Sequence, residues 1–264
     1  MERLETEDIL PAEATSNYNF GRRIDTDGQY MIVGTPSDST NGSGSGAASI
    51  YARSGNTWEF QYKLMASDSE ASDSFGDSVG ISGNLAIVGA QNEDEFGNNS
   101  GAAYIFANTS GNTWVEQMKI TSDQPAANYQ FGKSVAIGGN IAIVGSTNDS
   151  FLGTSRGSAF VFTNTSGNTW ELQSRLIPTD HANYDNIGVD VDISGNVAIV
   201  GGFKWDFGTA YVFSYTSGNT WVQQSKLIPN DNEISDRFGQ TVAISENIIL
   251  VGSPLEDTNG TESG

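Results

Sequence analysis

Aspartate is the residue type through which this chain could do chemistry, and it recurs with a period. Asp68, Asp123, Asp180 and Asp231 stand seven or eight residues ahead of Phe75, Phe131, Ile187 and Phe238. Asp94 and Asp257 belong to a second set of acids in other loops. Loops rich in Asp, Asn, Ser and free carbonyls supply the roughly six to eight oxygens that calcium takes. These six aspartates are the candidate metal ligands, and Ca2+ is the candidate cofactor. A loop aspartate also bonds to its own turn, so capping is the competing expectation for each. Trp205, which has no counterpart elsewhere, sits with Phe203 and Phe207 in a short loop. Such a cluster stacks on a sugar or anchors a partner, or it folds back over the structure beneath.

Catalytic constellations are harder to assemble. The chain has one histidine, His181, and no cysteine, so no Cys/His pair and no repeated His metal site can form. Gly42 to Gly46 reads Gly-Ser-Gly-Ser-Gly, but no helix follows it, as a nucleophile elbow requires. Two loop carboxylates at the right separation would suffice for glycoside hydrolysis, which keeps a carbohydrate-active reading as an alternative. The expectation is no enzyme.

Charge narrows the partners. Thirty-two acids against twelve bases give a net charge of −20, the opposite of the basic footprint that a phosphate backbone needs. No apolar run of about twenty residues is present, so no membrane insertion is expected. The opening Met1-Glu-Arg-Leu-Glu-Thr-Glu-Asp8 is acidic where a secretory signal is basic. An extracellular or cell-surface setting therefore needs a targeting segment outside this sequence.

The elements that must position these residues are repeats. A stretch opening Phe-Gly starts at Phe20, Phe75, Phe131, Ile187 (where Ile replaces Phe) and Phe238, at intervals of 55, 56, 56 and 51 residues. The units are 20–74, 75–130, 131–186, 187–237 and a partial 238–264, all in one domain, 1–264. Each complete unit predicts four strands; in the second they are Ser78–Ser82, Leu85–Gly89, Ala102–Phe106 and Trp114–Ile120. Leu-Ala-Ile-Val-Gly is apolar on both faces, as a strand buried between neighbours should be. Ser-Gly-Asn turns at Ser82–Asn84 and Ser194–Asn196 tolerate the positive φ of tight hairpins. A four-stranded meander repeated at this length predicts an all-β fold: a β-propeller of about five antiparallel blades, one of them incomplete. Trp58, Trp114, Trp170 and Trp221 open the fourth strand at equivalent positions and are expected to pack the blades, as are the unit-opening phenylalanines.

The Phe-Gly opening, a Val-Gly-Ala/Ser close and Gly-Ala-Ala before an aromatic strand resemble the FG-GAP repeat. That family builds the propeller of integrin α-subunits and of many bacterial surface proteins. The resemblance covers nearly the whole chain. It implies an extracellular binding, adhesion or surface-structural module. Calcium-binding integrin repeats carry an Asp-x-Asp-x-Asp-Gly-like loop between the first two strands. Here that junction is only a tight turn, so the calcium site does not transfer and the shorter bacterial variety is the nearer likeness.

In such a blade the 2–3 and 4–1 loops emerge on one face and the 1–2 and 3–4 turns on the other. Nearly all loop acids sort to the first face. An acidic face that takes calcium or a cationic partner, a protein or glycan at the cell surface, is the leading functional expectation. In unit four Asp190 and Asp192 replace small residues of the first strand and are expected to line the channel as solvated groups. Ile9 aligns with Leu64, Ile120 and Leu227, so 1–19 is expected to be the outer strand of the closing blade. That blade then has strands one, two and four but no third. Either the chain is cut from a longer protein, or the N-terminal strand slides inward to the third position and leaves a three-stranded blade, or another chain donates a strand. The last makes the protein a self-assembling subunit that pairs with copies of itself. Asn41, Asn98, Asn108, Asn148, Asn164 and Asn259 open Asn-x-Ser/Thr sequons expected in loops, and are glycan sites only in a eukaryotic secreted protein.

Overall fold

The computed structural model describes Ile9 and residues 18–151, 153–203, 208–218, 220–229 and 236–255. Among these residues there is no helix, and eighteen strands form five antiparallel sheets. Blade 1 is β1 (Ile24–Thr26), β2 (Tyr30–Thr35), β3 (Ala47–Ser54) and β4 (Thr57–Leu64). Blade 2 is β5 (Ser78–Ser82), β6 (Leu85–Ala90), β7 (Ala102–Ser110) and β8 (Thr113–Ile120). Blade 3 is β9 (Phe131–Gly138), β10 (Ile141–Ser146), β11 (Ser158–Ser166) and β12 (Thr169–Leu176). Blade 4 is β13 (Val191–Ser194), β14 (Val197–Phe203), β15 (Gly208–Tyr215) and β16 (Trp221–Leu227). Blade 5 has β17 (Thr241–Ser245) and β18 (Ile248–Gly252). Each complete blade keeps its strands in chain order, the meander that the repeat predicts. The fold is a propeller with an incomplete fifth blade.

The second strand is buried on both faces because a blade packs on each side of it. Ile87 faces blade 3, in a cluster with Phe131, Val135 and Ile137. Ala86 and Val88 face blade 1, with Ile32, Ile50 and Leu64. Trp114 and Trp170 are buried in these seams, and Trp221 in the seam between blades 3 and 4. Burying each large side chain contributes about 2–3 kcal/mol, and the alternation of seams makes every blade the wall of the next.

Backbone contact at the seam explains the glycines of the motif. Gly76 holds φ +93, and a Cβ there would lie 2.2 Å from the Ala47 carbonyl oxygen. A Cβ on Gly34 would lie 2.0 Å from the Gly76 oxygen. Two backbones meet here with no space for a side chain, so Phe-Gly of one unit locks onto the Val-Gly of the unit before.

Two expectations need correction. The third strands run four residues further than Ala102–Phe106 suggests, because β7 stays paired with β8 through bulges at Ile105/Phe106 and Asn108/Ser110. Asn108 and Asn164 therefore lie in strands and not in loops. Their side chains bond Gly111 O at 2.8 Å and Gly167 O at 2.7 Å, closing the hairpins that follow. At the N-terminus Ile9 packs on the Met31–Val33–Tyr51 face of blade 1, while the rest of residues 1–17 lies outside the described set.

Candidate functional site

The recurrent aspartates meet a recurrent cation. Lys63, Lys119, Arg175 and Lys226 stand one residue before the last apolar residue of β4, β8, β12 and β16. Each reaches across its own sheet to the loop face. Asp68, leaving blade 1, is 2.6 Å from Lys119 Nζ of blade 2. Asp123 is ion-paired with Arg175 of blade 3, and Asp180 lies 2.6 Å from Lys226 of blade 4. A second acid comes from the 2–3 loop of the cation's own blade: Asp38 to Lys63 at 2.9 Å, Glu93 to Lys119 at 2.8 Å and Asp149 to Arg175 at 3.4 Å. In blades 2, 3 and 4 the cation also lies over a third-strand ring. Lys119 is 5.7 Å from the Tyr104 centroid, Lys226 is 5.5 Å from Tyr211, and Arg175 sits between Phe151 and Phe160 at 4.3 and 4.6 Å. The aspartates thus both tie their loops and pin one blade to the next.

Their titration follows from that geometry. Burial pushes Asp68 up, but hydrogen bonds from Lys119 and Tyr104 outweigh it and hold the carboxyl below its usual range. Asp38 is depressed in the same way: burial raises it, and Lys63 and Thr40 overcome that. Asp180 is lowered chiefly by its bond from Lys226.

Blade 2 departs from this balance. Its loop face carries a cavity of about 380 Å³ lined by Asp68, Glu70, Asp73, Glu93, Asp94, Glu95 and Lys119. Oxygens of Asp68, Glu93 and Glu95 converge within 4.8 Å of one another, as metal ligands would. Lys119 Nζ already stands among them, 2.6 to 2.8 Å from each. A metal ion at that point has to displace the ammonium. Among the described residues Glu70, Asp73 and Asp94 have no ion-pair partner; Asp73 accepts from Glu70 N at 2.7 Å, and Asp94 from Asn99 N at 3.2 Å. Burial drives the Asp73 carboxyl up to about 6, against its bond from the Glu70 amide and with help from the charges of Glu93, Glu70 and Asp94. Glu93 Oε2 is buried without a hydrogen-bond partner. Among the described residues Asp68, Glu93 and Glu95 are the one group of three acids whose oxygens converge in this way.

The sequence profile of the FG-GAP repeat matches residues 4–51, 58–106, 114–162, 170–213 and 221–264. This chain belongs to the FG-GAP repeat family. No curated protein matches the sequence. Among solved structures, this FG-GAP chain is similar to a mutant of the Aleuria aurantia lectin in complex with alpha-methyl-L-fucoside, with 12% identity and a TM-score of 0.50 over 86% of this chain and 67% of that one. At that identity the likeness is one of fold, a β-propeller.

The channel of this FG-GAP propeller holds a different kind of carboxylate. The first strands of all five blades line a cavity of about 280 Å³ that includes Arg23, Asp25, Lys133, Asp190 and Asp192. Asp190 and Asp192 do face it, but they are not simply solvated. Asp190 accepts from Val242 N at 2.8 Å and Asp192 from Ile244 N at 2.7 Å, clamping blade 5 to blade 4. Asp25 and Asp27 do the same between blades 1 and 2, accepting from Ile81 N at 2.8 Å and Gly83 N at 2.6 Å. Burial raises Asp190 to about 6, offset in part by the Val242 amide and Arg23.

The other candidates scatter. Phe203 bonds Asn186 through its carbonyl at 3.0 Å and lies 5.8 Å beneath the Arg237 guanidinium. Trp205, Phe207, Asp231, Asp257 and Asn259 lie outside the described residues. Asn41 and Asn98 are exposed, and Asn148 bonds Gln130 at 2.7 Å. His181 has Nδ1 2.6 Å from Pro178 O and Nε2 3.3 Å from Arg156. Sequence reasoning passed over the strand-four cations, although they recur with the same period as the aspartates they meet.

Proposed function

We propose that this FG-GAP propeller is a non-enzymatic binding module of an extracellular or cell-surface setting, and that its acidic loop face takes a cation. The observation that carries this reading is the blade 2 cavity, where six carboxylates share one lysine and where burial, helped by the charges of Glu93, Glu70 and Asp94, holds Asp73 near pKa 6. Glu70, Asp73 and Asp94 are the groups that an incoming cation would neutralise. Calcium is the simplest such cation, since oxygen donors alone are on offer. A lysine- or arginine-bearing segment of a protein partner meets the same charge, and the net −20 steers either toward the face.

Calorimetric titration with calcium, and separately with a short lysine-rich peptide, tests the reading. Saturable binding of either ligand that weakens in Asp73→Asn and in a Glu70→Gln/Asp94→Asn variant supports it. Heat of binding that is absent for both ligands, or unchanged in both variants, overturns it.

A further inference from the structure

One position of the 2–3 loop keeps its glycine in blades 1, 2 and 3 and changes the residue before it. Gly42, Gly97 and Gly153 hold φ +143, +119 and +147, a conformation that suits glycine and few others. A Cβ would also come to 3.4 Å from Ala71 at Gly42 and to 3.1 Å from Ala127 at Gly97. The fold therefore asks for glycine here. The preceding residues are Asn41, Phe96 and Leu152, so blade 1 alone of the three carries an Asn-Gly pair.

The backbone amides differ as well. Gly97 N donates to Asp94 O at 2.9 Å and Gly153 N to Ser150 O at 3.2 Å, whereas Gly42 N donates to nothing among the described residues. Asn41 is exposed, and its side chain makes no hydrogen bond among them. A nucleophile and the carbonyl it can attack thus stand side by side, and neither is held elsewhere. Other loop asparagines lack this arrangement. Asn98 precedes Asn99, whose N bonds Asp94 Oδ1 at 3.2 Å. Asn99 precedes Ser100, whose N bonds Gly97 O at 2.9 Å, and Asn148 precedes Asp149, whose N bonds Ser146 O at 3.3 Å.

We propose that Asn41 is a site of spontaneous deamidation. Gly42 N attacks Asn41 Cγ, and the new N–Cγ bond closes a five-membered succinimide. The Cγ–Nδ2 bond breaks, and Nδ2 leaves as ammonia with the proton of the Gly42 amide. Water is the one co-reactant, and it opens the ring. Hydrolysis of the bond from Gly42 N to Cγ gives aspartate. Hydrolysis of the bond from Gly42 N to the Asn41 main-chain carbonyl carbon gives isoaspartate, whose main chain runs through Cβ and Cγ. Either product adds a carboxylate to the loop face. A glycan on the Asn41 sequon would occupy the same Nδ2 and close this route.

The two products differ in what they do to the fold, because this loop carries a blade joint. Gly42 O accepts from Ser45 N at 3.0 Å, Ser43 O from Ser72 N at 2.9 Å and Gly44 O from Ser74 N at 3.1 Å. Ser72 and Ser74 belong to the segment that enters blade 2. Isoaspartate adds one atom to the main chain just ahead of these acceptors and carries them out of register. Aspartate leaves them in place. Deamidation at Asn41 therefore loosens the joint between blades 1 and 2 through the isoaspartate fraction alone.

The test holds the intact, folded chain in mildly alkaline buffer and samples it by peptide mapping. Asn41 is the one asparagine of the tryptic peptide 24–53, so the mass change of that peptide and an isoaspartyl methylation assay report the site directly. The expected result is that Asn41 is consumed before Asn98, Asn99 or Asn148 changes detectably. Amide exchange at Ser72 and Ser74 should quicken in step with isoaspartate. The Asn41→Asp variant carries the charge without the longer main chain, and it should keep the protection of both amides. An Asn41 that survives in the folded chain but is lost from the same chain in urea overturns the proposal, since the loop then withholds the attack. Conversion of Asn98 or Asn99 at the same pace overturns it too. Exchange that quickens equally in Asn41→Asp, or that isoaspartate leaves unchanged, overturns the effect on the joint.

Discussion

The loop face and the central channel use the same carboxylate to opposite effect. On the loop face Asp38, Asp68 and Asp180 each meet an ammonium from a fourth strand, and all three are held below the ordinary carboxylate range. In the channel Asp25, Asp190 and Asp192 meet backbone amides, and all three are raised. An amide offers a hydrogen bond but no net charge, so burial wins in the channel. A lysine offers both, so burial loses on the face. Asp68 and Asp180 join blades as the channel carboxylates do, while Asp38 ties a loop within its own blade, and the two arrangements contribute to stability with opposite dependence on pH.

The largest effect is expected at the point where the loop face concentrates its charge. Lys119→Met removes the ammonium shared by Asp68, Glu93 and Glu95 and leaves an uncompensated, half-buried cluster. We expect a loss of about 2–3 kcal/mol, below the value for a fully buried pair because Asp68 and Glu95 remain half exposed. Urea denaturation at neutral pH in chelator measures it. Calcium should restore part of that loss in the variant, since the ion can stand where the ammonium stood. A variant as stable as the parent in chelator would mean that the three carboxylates are solvated one by one, and the comparison between face and channel would fail.

Asp190→Asn addresses the channel. The amide oxygen can still accept from Val242 N, while the charge is gone. The folded protein holds a proton on Asp190 up to about pH 6, whereas the unfolded chain releases it near 3.8. The folded state therefore binds more protons between those values, and its stability falls as pH rises through that window. The penalty is complete above pH 6. We expect the variant to gain about 1–2 kcal/mol at pH 7.5 and nothing at pH 3.5. Unfolding curves for both proteins at the two pH values decide it; a gain of equal size at both would assign the effect to packing and not to charge.

What the sequence could disclose followed from what repeats. Phe20, Phe75, Phe131 and Phe238 set the register, and β5 falls on Ser78–Ser82 as the alternation there requires. The end of β7 was not legible, because bulges that keep Asn108 paired with Trp114 leave no mark in composition. Channel clamps were hidden for another reason. Asp25 reaches Ile81 and Asp190 reaches Val242 across 56 and 52 residues, about one repeat. A single unit read alone shows an aspartate in a strand and no partner. The strand-four cations were visible by period, but a lysine on an outer amphipathic strand reads as a solvent-facing charge until Tyr104 and Glu93 are seen beside it.

The smallest effect tests whether the loop-face rule holds where water reaches it. Asp180 and Lys226 repeat the geometry of Asp68 and Lys119 at 2.6 Å, but their side chains are 48% and 36% exposed. In the sequence Trp205 stands where the acid that reinforces Lys119 and Arg175 falls in their blades, and among the described residues Lys226 is ion-paired with Asp180 alone. An exposed pair of this kind contributes about 0.2–1 kcal/mol. Asp180→Asn should cost no more than that. Asp180 is depressed in the folded state, so the contribution it makes is present above the unfolded value near 3.8 and is lost as pH falls through the folded one. The difference between variant and parent should therefore shrink in acid, where that for Asp190→Asn also vanishes but with the opposite sign above it. Salt separates the two further. Raising the ionic strength to about 1 M shortens screening to roughly 3 Å, which should erase the Asp180→Asn difference and spare much of the Asp190→Asn one. If both respond alike to salt, the channel is as open to ions as the loop face, and the contrast between them reduces to which atom each carboxylate happens to meet.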